Sequence, residues 1–123
     1  MAIVRSGTLY PSAARTVLQT GATMKNDIGA VALHVYIDWT VEADTVTLTF
    51  TVQGRTSPNS PWYTLLASAA LTAVADVHLR IDPRLTASAN LIAQDAVPAE
   101  WRVNVAVGDA DSATYQVDFA LLQ

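Results

Sequence analysis

Between Leu33 and Gln53 the chain alternates twice. Leu33, Val35, Ile37 and Trp39 are apolar, and His34, Tyr36 and Asp38 lie between them. After Glu42-Ala43-Asp44 the pattern resumes, with Val46, Leu48, Phe50 and Val52 alternating with Thr45, Thr47, Thr49 and Thr51. Side chains of a strand point to opposite faces with period two, so each run is a strand with one buried face. The short acidic turn between them predicts a β-hairpin over residues 33–53. A polar loop, Gly54 to Pro61, then leads into a further strand at Trp62-Tyr63-Thr64-Leu65-Leu66.

The rest of the chain repeats this grammar. Val77, Leu79 and Ile81 alternate with His78 and Arg80, and Asp82-Pro83 ends the run. Trp101, Val103, Val105 and Val107 precede Gly108-Asp109-Ala110-Asp111-Ser112, and Tyr115, Val117, Phe119 and Leu121 follow it. This predicts a second hairpin over residues 101–121, with Gly, Asp and Ser supplying the turn. Ala13 to Thr20 reads as a first strand, and Ala67 to Ala73 as an extended or turn segment. Leu85 to Asp95 is the one place for a short turn of helix or an ordered loop. Strands at this spacing predict an all-β fold: a single-domain antiparallel β-sandwich, jelly-roll or immunoglobulin-like, over residues 13–123. Residues 1–12 read as an extended N-terminal arm, because Pro11 pushes Tyr10 out of any helix.

Composition narrows the chemistry. There is no cysteine, which excludes disulfides, thiolate metal sites and cysteine nucleophiles. No apolar run approaches the length of a membrane span, and the N-terminus lacks the apolar core of a secretory signal. Production in a cytoplasm is therefore expected. Residues 1–26 hold Arg5, Arg15 and Lys25 and no acid; the other four basic residues face all eleven acids, and the net charge is −4. A basic leader on an acidic body predicts an arm that docks on an acidic surface. The acidic body argues against nucleic-acid binding, which needs clustered basic and stacking aromatic residues.

No catalytic constellation is visible. The five glycines are isolated, there is no G-x-S-x-G elbow, and the carboxylates are scattered through turns and outer faces. His34 and His78 are the only histidines, and their separation argues for surface positions over a metal site. Residues 108–112 have oxygen ligands close together but lack the length and closing Glu of an EF-hand loop. No cofactor, metal or enzymatic activity is expected. The threonines 45, 47, 49 and 51 form a ladder on one strand, an ordinary soluble outer face or a flat binding face. The candidate contact residues are Ile3, Val4, Arg5, Leu9, Tyr10, Arg15 and Lys25 of the leader, with Trp62 and Tyr63 at a loop–strand junction.

Several stretches carry a resemblance: Leu33-His34-Val35-Tyr36-Ile37-Asp38, Val46 to Gly54, and Trp62 to Ala70. Arg80-Ile81-Asp82-Pro83-Arg84-Leu85-Thr86, Pro98-Ala99-Glu100-Trp101-Arg102-Val103 and Gly108 to Tyr115 complete it. In this order they resemble a family of small β-rich auxiliary virion proteins of tailed bacteriophages. The resemblance implies a capsid decoration or cement protein, located on the virion. The partners expected for such a protein are the major capsid protein and copies of itself, most simply as a homotrimer, a symmetry that nothing in the sequence fixes. A tail, neck or fibre component of the virion is the alternative within that family. A carbohydrate-binding β-sandwich module is the alternative outside it. Trp62 stands where the family would carry variable, often polar residues, so its role is not inherited.

Overall fold

The computed structural model describes residues 2–42, 46–108 and 111–123. Among the described residues, nine strands follow in chain order: β1 (Ile3–Arg15), β2 (Met24–Lys25), β3 (Ala32–Glu42), β4 (Leu48–Arg55), β5 (Tyr63–Ala67), β6 (Ala75–Ile81), β7 (Ile92–Ala93), β8 (Glu100–Val107) and β9 (Ala113–Leu122). They form two sheets, ordered β1-β9-β3-β6-β7 and β2-β8-β4-β5. All pairings are antiparallel except that of the two-residue β7 with β6. The fold is the all-β sandwich that the alternation predicts.

Each apolar run supplies one row of the core. Leu33, Val35, Ile37 and Trp39 from β3 and Tyr115, Val117 and Leu121 from β9 meet Leu48, Phe50 and Val52 from β4 and Trp101, Val103 and Val105 from β8, all essentially inaccessible. Fully burying each such side chain contributes about 1.5–3 kcal/mol, so the alternating residues outweigh any local preference. Aromatic edges lock the layers: Phe50 meets Tyr115 at 5.4 Å and Trp101 meets Phe119 at 5.2 Å, both edge-on.

The pairings correct the expected hairpins. β3 pairs with β6 and β9, while β4 pairs with β5 and β8. The chain therefore crosses from one sheet to the other between β3 and β4, and again between β8 and β9. Both crossings leave the apolar runs facing each other across the core, where a hairpin would set them side by side. The turn residues 43–45 and 109–110 lie outside the described residues.

The N-terminal arm is also corrected. Residues 3–15 form one continuous edge strand paired with β9, from Ile3 opposite Leu122 to Arg15 opposite Ala113. The boundary expected at Ser12 falls inside it. Residues 16–18 then carry the chain to the second sheet, where Gln19 exchanges two backbone hydrogen bonds with Val105 at 2.9 Å. Gly21 lies directly over the Val103 backbone, where a Cβ would collide with the carbonyl.

Leu85 to Asp95 contains no helix. Asp82 is fully buried and takes the Arg84 backbone N–H at 2.9 Å and its guanidinium at 3.0 and 3.1 Å. Asn90 adopts a left-handed φ of 65° and the chain closes on a bridge between Ser88 and Ile92. Turn chemistry from Pro83, Ser88 and Asn90 outweighs the helix preference of the intervening alanines.

Candidate functional site

The register of the five-stranded sheet builds a polar cluster on its outer face. Tyr36 of β3 stands opposite His78 of β6 on one side and Asp118 of β9 on the other. One step along the strands, Asp38 stands opposite Asp76; one step the other way, His34 stands opposite Arg80. The Tyr36 and His78 rings stack at 4.4 Å and 22°, and His34 meets His78 edge-on at 4.8 Å. Arg80 donates to His78 Nδ1 at 3.2 and 3.3 Å, and the Tyr36 hydroxyl lies 3.4 Å from His34 Nδ1.

The electrostatics of this cluster follow from crowding. Burial, then Arg80 and His34, lower the His78 pKa to about 4. Burial and the Arg80 charge lower that of His34 as well. Both rings are thus neutral at pH 7, and the Nε2 atom of each is shut from solvent without a hydrogen-bond partner. The Asp38 carboxyl is raised by a hydrogen bond with the Asp76 carboxyl and by the charges of Asp76 and Asp118. Gln116 donates to both Asp118 oxygens at 3.1 Å. Among the described residues, no group of three or more His, Cys, Asp or Glu is placed to hold a metal ion.

The outer face of the four-stranded sheet is arranged differently. Trp62 stacks with two guanidinium groups, Arg55 at 4.3 Å and Arg102 at 4.2 Å from its ring centre. Arg55 pairs with the buried Glu100 at 2.7 Å, and Arg102 donates to Gln53 at 2.8 Å. Gln53 also accepts from Asn104, which in turn receives the Gly21 N–H at 3.0 Å. Trp62 is therefore an anchor of this network, with two guanidinium groups against its ring. Its neighbour Tyr63 is exposed on the edge strand β5.

The expected contact residues of the leader divide. Ile3 and Val4 are exposed apolar side chains, 60% and 41% accessible. Arg5 reaches Asp27 at 2.9 Å across an exposed surface. Leu9 is half-buried against the core, and Tyr10 is buried, donating its hydroxyl to the Val103 carbonyl at 2.6 Å. Arg15 lies over the Tyr10 and Tyr115 rings and donates to the Ala13 and Tyr115 carbonyls. Lys25 is exposed on β2, opposite Glu100. Ile3, Val4 and Arg5 are thus exposed at the start of β1, while Tyr10 and Arg15 serve the core.

The histidine cluster escaped the sequence reading, which treats His34 and His78 as separate surface residues. Forty-odd residues separate them, and only the β3–β6 register joins them. The available signal is that both sit at polar positions of alternating strands, which puts them on outer faces. Compared with known proteins, the chain matches no protein-family model and shows no match to a curated protein.

Proposed function

We propose that this protein is a structural virion protein of a tailed bacteriophage, a decoration or cement protein that binds the outside of the head and stabilises it. The observation that carries the reading is β1. It is a 13-residue edge strand with exposed Ile3 and Val4 on a rigid sandwich. The sequence resemblance to auxiliary virion proteins supports the same reading. Its partners are the major capsid protein and copies of itself at symmetric positions of the shell, with a homotrimer the simplest arrangement. The reading assigns it no catalytic activity and no cofactor.

The mechanism differs from that of a free arm. A strand already held by β9 loses little freedom on docking, so less binding energy goes into ordering it. Extra residues at Val4, at Leu9 and at Pro11-Ser12 shift the β1 register against β9. Such bulges and the proline interrupt regular pairing along the free edge, which protects the isolated protein from edge-to-edge aggregation. Contact with the shell then falls mainly to side chains, with Ile3 and Val4 as the apolar centre and Arg5 at the rim. Many copies on a lattice add avidity without new contacts.

The test uses phage heads lacking the protein and an Ile3→Asp/Val4→Asp variant. The two sites are exposed, so the variant keeps the thermal unfolding midpoint of the parent. Its co-sedimentation with heads falls by about tenfold or more, from the loss of roughly 1.5–3 kcal/mol per buried apolar side chain. Undiminished co-sedimentation contradicts the assignment of β1 as the contact.

A further inference from the structure

The outer face of the five-stranded sheet carries a second candidate surface, which meets the docking edge at Ile3. Three depressions adjoin there. One of about 340 Å³ lies among Tyr36, Asp38, Asp76, His78 and Asp118. A second, of about 410 Å³, shares Tyr36 and Asp118 and extends over Ile3, Gly7 and Thr8 of β1. A third, of about 320 Å³, shares Asp76 and His78 and extends to Arg80 and Ile92. With strands about 4.8 Å apart, the groove crosses the sheet over roughly 15–20 Å, room for several linked small rings.

We propose that this groove is a carbohydrate-binding site for a short neutral oligosaccharide. A sugar ring has a face of C–H groups and a rim of hydroxyls. The Tyr36 ring, 39% exposed and stacked on His78, offers a platform for the C–H face. The stack holds that platform in place before any ligand arrives, which limits the ordering cost of binding. Asp118 stands beside Tyr36 in register, and Asp38 and Asp76 stand one step along. Their carboxylates are acceptors for neighbouring hydroxyls, which are donors in abundance. An apolar floor with a few convergent polar groups is the usual composition of a small-ligand site.

Two other occupants fit less well. An extended peptide binds a sheet by adding to its edge, but this groove runs across the strands, whose backbone groups are already paired. A polycation would meet the carboxylates at the centre but the Arg80 guanidinium at one end. A neutral ligand with many hydroxyls is indifferent to that mixed field.

The test is calorimetry and amide-shift mapping on the full chain with cellohexaose, maltohexaose, xylohexaose and chitohexaose. At least one is expected to bind with a Kd between about 10 μM and 1 mM, shifting the amides of Tyr36, His78 and Asp118. Tyr36→Ala weakens that binding by about tenfold or more, and Tyr36→Phe retains it. Val4→Asp, at a position that lines none of the three depressions, leaves sugar binding unchanged. No binding by any of the four up to about 10 mM overturns the proposal. So does sugar binding that survives Tyr36→Ala, or saturation of the same amides by hexalysine in place of the sugars.

Discussion

Trp62 and Tyr36 are both aromatic residues on outer faces of the sandwich, and their surroundings are opposite in kind. Trp62 has two guanidiniums against its ring, and those guanidiniums have their own partners in Glu100 and Gln53. Tyr36 has one ring face on His78, and its neighbours are three carboxylates and two neutral histidines with unpartnered nitrogens. The first face is a closed network in which each guanidinium has a polar partner. The second keeps like charges together and polar atoms unsatisfied, at a cost in stability. Proteins tolerate such inconsistency mainly where a surface has work to do. Substitutions on the two faces should therefore move stability in opposite directions.

The largest expected effect is on the closed face. Arg55→Ala leaves Glu100 buried without its ion pair, and a stranded buried carboxylate costs about 3 kcal/mol. Urea unfolding should show that loss in the midpoint at unchanged slope. Trp62→Ala leaves Arg55 and Arg102 paired but removes their stacking surface, a loss of about 1–2 kcal/mol in the same measurement.

The open face answers to pH. His78 titrates near 4 in the fold against 6.5 ordinarily, so between these values the unfolded chain binds more protons than the folded one. Stability is then complete above pH 6.5 and falls as pH drops towards 4. The groups facing the ring are His34, Tyr36, Arg80 and Asp76, and Arg80 and His34 add to the shift. After allowance for screening at this half-exposed site, the loss is on the order of 1 kcal/mol. His78→Phe should flatten the thermal midpoint between pH 6.5 and 4; an unaltered slope would mean the histidine is not its source. The smallest effect is a gain. Asp76→Asn removes a like charge from opposite Asp38, so the thermal midpoint rises slightly at pH 7 and the gain shrinks with added salt.

The sequence carried the strands and the core because alternation directly encodes which face is buried. Trp39, Phe50, Trp101 and Phe119 are all in the core. Alternation does not encode which sheet a strand joins. The few residues between β3 and β4, or between β8 and β9, suit a hairpin and an inter-sheet crossing equally. β1 was illegible for a different reason. Its bulges at Val4, Leu9 and Pro11-Ser12 break the period of two, so a paired strand looks like an irregular leader. That is why Tyr10 and Arg15 read as contact residues when they serve the core, while Ile3 and Val4 are exposed as a contact requires. The Tyr36 cluster was hidden because it depends on register across three strands, and register is set by packing and not by any local pattern.

The central claim is that this sandwich sits on the outside of a phage head with β1 against the shell. Cryo-electron microscopy of heads incubated with the purified protein tests it directly. The account predicts repeated density at equivalent lattice positions over the whole shell, with Ile3 and Val4 at the contact. Density confined to the neck or tail, or a shell contact made by another surface with β1 exposed to solvent, would contradict it.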